Sequence, residues 1–159
     1  MSASKEDLAA ANQGVEPIPG RLSVITLGVR DLTAQRRFYE SLGWRTRSKG
    51  DDFAAFPLGG AVLALYPIEL LSREANFEVP EGRNEFNGVT LSINVDRIED
   101  VDRAIGSAVA AGGRALAEPV TREWGGRSGY FADPEGNVWE VAWLPGASFD
   151  ERGGLIWPF

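Results

Sequence analysis

A single carboxylate lies within an otherwise apolar strand near the end of the sequence. The stretch YFADPEGNVWEVAW runs from Tyr130 to Trp143, and Glu140 is flanked in it by valine and tryptophan. A charge at such a position needs a partner or a purpose, because burying it alone is costly. Burial also raises the pKa of a carboxyl group, which suits a general base, and a nearby phenol can exchange protons with it. We therefore take Glu140 and Tyr130 as the candidate catalytic residues.

The composition narrows the chemistry further. The 159 residues include no histidine and no cysteine, so thiol nucleophiles, disulfides and imidazole or thiolate metal ligands are excluded. The net charge of −7 argues against a nucleic-acid partner. There is no secretory-type apolar segment at the N-terminus and no apolar run near the roughly 20 residues of a membrane span. We expect a cytoplasmic protein with neither nucleic acid nor membrane as partner.

The elements that must position these residues occur in two copies. The first copy opens with the strand-like LSVITLGV, continues with a helix capped by Asp31 and stopped by Gly43, and closes with two strands around PLGG. The second copy opens with VTLSINV, continues with a helix that buries Ile98, Val101 and Ile105, and closes with strands around DPEG. The pattern predicts an α+β fold with two β-α-β-β-β modules, at 21–67 and 87–143.

Three further segments surround the modules. Residues 1–20 form an N-terminal extension, in which SKEDLAAAN is a candidate short helix. Residues 68–86 connect the modules, as a helix plus loop that edges a binding site. The tail, 144–159, carries Trp157 and Phe159, and we expect it to pack against the body or a second subunit.

Two longer patterns make the sequence resemble a known family. ITLGVRDLTAQRRFYESLGW opens the first copy, and GGRSGYFADPEGNVWEVAW closes the second. Together they resemble the vicinal-oxygen-chelate superfamily, which includes glyoxalase I, extradiol dioxygenases, fosfomycin-resistance transferases and bleomycin-resistance proteins, over residues 21–143. The resemblance implies a curved mixed sheet around a cleft. It also implies that the family's four metal-ligand positions fall on Val24, Ala64, Thr90 and Glu140.

Those four positions do not make a metal site. Zinc and the transition metals typically take three nitrogen, sulfur or carboxylate ligands from the protein, and only Glu140 qualifies here. We therefore expect no metal and no cofactor, and we do not expect a metal-dependent glyoxalase or dioxygenase. The chain resembles most the metal-free, bleomycin-resistance-like branch, whose members bind a drug without altering it and act as dimers. This resemblance implies a homodimer.

Strand alternation and the family fold together predict which residues contact a ligand. The predicted ligand-binding residues are Val24, Thr26, Trp44, Ala64, Thr90, Ser92, Trp124, Tyr130 and Glu140. They favour a small, cationic or aromatic ligand.

Three roles for Glu140 stay open: a structural group bonded to Thr90 or Tyr130, a ligand contact, or a general base. A ligand contact corresponds to metal-independent ligand binding, with antibiotic sequestration as one form. A general base corresponds to a metal-free isomerase, epimerase or lyase. A structural group corresponds to a scaffold with a vestigial cavity.

Overall fold

The structure, a computed structural model, describes residues 17–48, 50–82 and 86–158. They form two α/β units, a helical connector and a short C-terminal hairpin. The strands are β1 (Val24–Val29), β2 (Ala54–Pro57), β3 (Val62–Pro67), β4 (Leu91–Asn94), β5 (Arg114–Thr121), β6 (Arg127–Ala132), β7 (Val138–Trp143), β8 (Ser148–Phe149) and β9 (Leu155–Ile156). The helices are α1 (Leu32–Ser41), α2 (Ile68–Ala75) and α3 (Asp100–Ala110).

The two larger sheets share one topology. The first has the order β1-β3-β2 and the second the order β4-β7-β6-β5. In each, the strand before the helix runs parallel to the last strand of its unit, and the other pairs are antiparallel. The predicted α+β fold with a repeated unit is therefore confirmed.

The first unit has one strand fewer than predicted among its described residues. Residues 44–48 follow α1 without forming a strand, although the Arg47 amide donates to the Ala55 carbonyl at 3.2 Å. The Ala55 amide donates instead to the Ser48 hydroxyl at 2.8 Å. A side chain thus accepts the hydrogen bond that a backbone carbonyl would accept in a paired strand. The polar sequence RTRS also lacks the apolar alternation of a stable edge strand.

Helix α1 begins and ends where its capping residues predict. The Asp31 carboxylate accepts a hydrogen bond from the Ala34 amide at 2.9 Å, and Gly43 follows the helix with a φ of +91°. Its apolar stripe buries Phe38 and Tyr39. Asp31 and Gly43 therefore position α1 by ordinary capping chemistry.

Helix α3 confirms most of its predicted buried face. Val101, Ile105 and Ala108 are buried. Ile98 is 43% exposed, because the helix begins only at Asp100, so its predicted place on the buried face is wrong.

One hydrophobic core joins the two units. Its buried side chains come from α1, the first sheet, α3 and the second sheet. Phe131, Trp139 and Val141 supply the second sheet's share, and they alternate with Tyr130 and Glu140 along their strands. Tyr130 and Glu140 therefore project from the face of the second sheet that points away from this core.

The connector and the tail both return to the first unit. The predicted connector helix is α2, which packs so closely on β1 that a Cβ at Gly28 would lie 3.0 Å from Ile68 Cγ1. The tail forms the β8–β9 hairpin, which passes so near the β2–β3 turn that a Cβ at Gly59 would lie 2.5 Å from the Gly153 backbone. The hairpin thus lies against the body, but Trp157 is 65% exposed and Phe159 lies outside the described residues. The predicted helix over SKEDLAAAN lies outside the described residues.

Candidate functional site

Three polar side chains meet on the second sheet because of its register. Glu140 on β7 lies opposite Ser92 on β4 and opposite Tyr130 on β6. Residues paired directly across neighbouring strands project to the same side of a sheet. The sheet thus brings together three of the predicted ligand-binding residues.

Hydrogen bonds occupy both oxygens of the carboxylate. The Tyr130 hydroxyl donates to Glu140 Oε1 at 2.8 Å, and the Ser92 hydroxyl donates to Oε2 at 3.0 Å. The pKa of Tyr130 is raised above its usual value, mainly by its hydrogen bond to Glu140 and next by partial burial. Glu140 and Tyr130 are half-buried and Ser92 is exposed, so the cluster is open to solvent.

Arg122 is a fourth member of this cluster, and the sequence did not indicate it. Its Nε donates to Ser128 Oγ at 2.8 Å, and its guanidinium carbon lies 5.8 Å from the centre of the Tyr130 ring. Ser128 stands two residues before Tyr130 on β6 and therefore faces the same side. Strand β5 has register shifts around Ala117, which break the alternation that would have assigned Arg122 to a face.

The predicted role of Thr90 beside Glu140 is wrong. Thr90 is exposed and precedes β4, whose first residue is Leu91. The strand residue opposite Glu140 is Ser92, and its hydroxyl makes the hydrogen bond that was expected of Thr90.

The first sheet lacks the polar cluster. Thr26 lies opposite Ala64, and Ala64 lies opposite Ala55, which repeats the register of Ser92, Glu140 and Tyr130. Ala64 is only 1% exposed, so it offers no surface to a ligand, and its prediction as a ligand contact is not supported by its position. Val24 is half exposed at the start of β1.

The two predicted tryptophans lie in different surroundings. Trp44 stacks on Tyr39 with the ring centres 5.3 Å apart, and its edge meets Trp139 at 5.5 Å. Trp139 faces away from Glu140, so Trp44, which is partly buried, packs against the core and not beside the carboxylate. Trp124 lies in the β5–β6 turn, half exposed, with its ring over Gly126.

A cavity of about 890 Å³ lies between the two units. Its lining residues come from β1, the connector, the approach to β4 and the β6–β7 turn, and they include Thr26, Arg30, Phe86, Leu91 and Val138. Of the predicted ligand-binding residues, only Thr26 lines it. Val138 precedes Glu140 by two residues on the same face of β7, so the cavity and the carboxylate cluster are neighbours but do not coincide.

The sequence indicates only a turn at DPEG, but the two acidic residues of this turn, Asp133 and Glu135, connect the two units. Asp133, which is 3% exposed, accepts hydrogen bonds from Tyr39 Oη at 2.6 Å and Gln35 Nε2 at 2.9 Å, both on α1. Burial raises the pKa of Tyr39 well above its usual value, and the charge of Asp133 adds to the effect.

Glu135 makes the second connection between the units. Its carboxylate accepts hydrogen bonds from the backbone amides of Arg30, at 2.8 and 2.9 Å, and of Asp31, at 2.7 Å, just before α1 begins. A carboxylate is favourable at this end of a helix. Asp133 and Glu135 therefore connect the second unit to the first.

The residues at the family's metal-ligand positions do not fit a metal ion. Val24 and Ala64 have no donor atom, Thr90 is a poor ligand, and Glu140 alone would not hold the ion. Within residues 17–48, 50–82 and 86–158, no group of three or more histidine, cysteine or acidic side chains is arranged to hold one. In the same part of the chain, no helix has the length and apolar character needed to cross a membrane.

Comparison with known proteins agrees with this architecture. A glyoxalase-related enzyme from Fulvimarina pelagi is 31% identical, with a TM-score of 0.81, over 89% of this chain and 100% of that one. A glyoxalase/bleomycin resistance protein/dioxygenase from Nocardioides is 25% identical, with a TM-score of 0.69, over 90% of this chain and 95% of that one. A glyoxalase/bleomycin resistance protein/dioxygenase family enzyme from Burkholderia phytofirmans PsJN is also 25% identical, with a TM-score of 0.68, over 79% of this chain and 99% of that one.

The sequence itself leads to the same family. No curated protein matches the chain. The model of the Glyoxalase/Bleomycin resistance protein/Dioxygenase superfamily matches residues 21–141. This range includes all of the first sheet and the second sheet as far as Val141 on β7. This chain therefore belongs to the glyoxalase/bleomycin resistance protein/dioxygenase superfamily, also called the vicinal-oxygen-chelate superfamily.

Proposed function

We propose that this protein binds a small molecule without a resident metal, on the face of the second sheet that carries Glu140. The observation that carries the proposal is the state of this carboxylate. Tyr130 and Ser92 hold it in place, and it remains open to solvent on a sheet face that points away from the core. A fixed carboxylate of this kind orients a ligand through a charged hydrogen bond.

The surroundings of the cluster favour a cationic or aromatic ligand. Glu140 supplies a negative charge, and the partly exposed Tyr130 is bonded to it. Trp124, in the turn that precedes β6, is half exposed and offers an aromatic surface. The neighbouring cavity of about 890 Å³ provides room for the rest of a drug-sized molecule. Antibiotic sequestration, as in the bleomycin-resistance-like branch, is one function of this type.

We propose a homodimer as the functional form. Members of the superfamily bind small molecules and often form dimers. Large apolar side chains are exposed on the described surface, among them Leu116 and Val120 on β5 and Ile156 on β9. Apolar side chains on the surface can be buried by association with a second copy.

The test is a calorimetric titration with a panel of basic aromatic antibiotics and simple aromatic amines. We expect at least one compound to bind the native protein and to lose about tenfold or more of its affinity in Glu140→Gln, because the charged hydrogen bond is removed. Glu99→Gln, which changes an exposed acid next to α3, serves as the matched control and should bind as the native protein does. Binding that is equal in all three proteins would contradict the proposal.

A metal-free enzyme is the second candidate, and the Tyr130–Glu140 hydrogen bond of 2.8 Å is the observation that favours it. A phenol and a carboxylate in contact can pass a proton to and from a substrate carbon, as an isomerase, epimerase or lyase requires. Deuterium exchange from D₂O into carbon acids, followed by NMR, tests this candidate. Exchange that is catalysed by the native protein and by Glu140→Gln at the same rate would exclude Glu140 as the base.

A further inference from the structure

The hydrogen bonds around Glu140 define the kind of group that can bind there. Tyr130 and Ser92 each use their only O–H to donate to the carboxylate. What remains on all three side chains is lone pairs. We call Glu140, Tyr130 and Ser92 the acceptor end of the site, because a ligand group that binds there must donate hydrogen bonds.

A group of the opposite chemistry, the Arg122 guanidinium, lies over the Tyr130 ring. Arg122 donates through Nε and Nη2 to Ser128, and these bonds hold the guanidinium in place. A guanidinium has five N–H donors and no acceptor, so donors remain for a ligand. Among the residues that the structure describes, no ion pair includes Arg122.

Both ends face the same side of the second sheet. Arg122 reaches that side through Ser128, which shares the face of Tyr130 on β6, and its charge lies over the phenol ring at 5.8 Å. Glu140 accepts a hydrogen bond from the hydroxyl of the same tyrosine. Two opposite charges therefore lie next to the same tyrosine side chain, on one side of the sheet.

We propose that Glu140 and Arg122 are the two ends of one binding site that selects a small zwitterion, with a protonated amine at one end and a carboxylate at the other. The inference rests on the proposed function, since it assumes a ligand on this face. The amine binds at the acceptor end, and the carboxylate pairs with the Arg122 guanidinium. Arg122 is then a specificity-determining residue.

Three related probes test the pairing directly. They are 4-(aminomethyl)benzoate, which carries both charges across one ring, benzylamine, which carries only the amine, and benzoate, which carries only the carboxylate. Affinities are measured by calorimetry or by ligand-observed NMR. We expect the native protein to bind the zwitterion about tenfold or more tightly than either single-charge probe, because two charged contacts form instead of one.

The variants separate the two ends. In Arg122→Gln, the preference for the zwitterion over benzylamine should disappear, while benzylamine itself binds as before. In Glu140→Gln, the preference over benzoate should disappear. Arg103→Gln removes an exposed arginine that pairs with Asp100 on α3, and it should leave all three affinities unchanged.

Two contrary results have different meanings. Benzylamine binding that depends on Glu140, without any preference for the zwitterion, would overturn the two-ended site and leave the proposed function intact. The absence of Glu140-dependent binding for all three probes would overturn the inference together with the ligand site on which it rests.

Discussion

The charge of Glu140, on β7, is held by groups from its two neighbouring strands. Its two donors, Tyr130 and Ser92, come from β6 and β4, so the carboxylate keeps its position as long as the sheet keeps its register. In return, the carboxylate favours the neutral phenol, because an ionised Tyr130 would place two negative charges in contact. At the scale of single residues, the pKa of Tyr130 therefore reports on the presence of the Glu140 carboxylate.

We predict that Glu140→Gln lowers the pKa of Tyr130 toward its usual value. The carboxylate is the main cause of the raised pKa, through its hydrogen bond and its charge. The ring carbon that bears the hydroxyl reports the titration in ¹³C NMR, and Tyr130→Phe assigns its signal. An unchanged pKa in Glu140→Gln would show that the hydrogen bond does not persist in solution.

The same shift has a defined effect on stability. The folded state holds the Tyr130 proton more tightly than the unfolded chain does. Its contribution to stability is therefore complete below about pH 10, the usual tyrosine pKa, and is lost as the pH rises through the higher pKa of the folded state.

The sequence predicted part of this site and missed the rest for identifiable reasons. Strand alternation around DPEG correctly placed Glu140 and Tyr130 on one face. It could not place Arg122, because the register shifts in β5 interrupt the alternation. The sequence favours Thr90 over Ser92 as the partner of Glu140, because the residue that lies opposite another depends on the register of strand pairing, and the sequence pattern does not show this register.

At the scale of elements, α2 distinguishes the two sheets. It packs on the first sheet where Gly28 leaves room for Ile68 and Leu71, and Tyr66 donates from β3 to Glu74 on the helix at 2.9 Å. The second sheet carries its polar cluster on the corresponding face. A helix in the connector was predicted from the sequence, but its docking on β1 was not, because a strand glycine does not identify the element that approaches it.

We predict that Gly28→Ala destabilises the protein by about 1–2 kcal/mol. The added methyl group would lie 3.0 Å from Ile68 Cγ1 and 3.2 Å from Leu71 Cδ2, so α2 would have to move outward. Urea denaturation measures the change in the free energy of unfolding.

Gly106→Ala is the matched control for this substitution. Gly106 lies within α3, and a Cβ there meets no heavy atom within 4 Å. Alanine should therefore stabilise the protein by about 0.5–1 kcal/mol, through its helix propensity. Changes of the same sign in both variants would contradict the close packing of α2 on β1.

At the scale of the whole molecule, the β6–β7 turn fixes the two units relative to each other. Asp133 binds side chains of α1, and Glu135 binds the backbone just before that helix, so one turn of the second unit holds the first helix of the other. The Trp139 indole also donates to Tyr39 Oη at 3.1 Å, which extends the network into the shared core. The repeat was visible in the sequence. The contacts between its copies were not, because hydrogen bonds between residues about a hundred positions apart leave no periodic pattern.

We predict that Asp133→Ala destabilises the protein by about 3 kcal/mol or more. The substitution leaves the Tyr39 hydroxyl and the Gln35 amide without their acceptor in a buried position, and each such group carries its own desolvation cost. Asp51→Ala, at an exposed position, should change the free energy of unfolding by no more than about 0.5 kcal/mol. A loss below about 1 kcal/mol in Asp133→Ala would show that the turn is not the junction described above.

The unequal faces of the two sheets impose different demands on the two halves of the chain. At matching register, the first sheet has Thr26, Ala64 and Ala55, and the second has Ser92, Glu140 and Tyr130. Because Ala64 is 1% exposed and Ala55 stands where the second sheet has Tyr130, a glutamate introduced at position 64 would be buried without a phenol to donate to it, and so a single substitution would not create a second carboxylate site. The first half can therefore vary wherever packing allows, whereas the second half must also keep Glu140 and its two donors. Under the proposed function, new specificities are then most readily obtained by changing the second half.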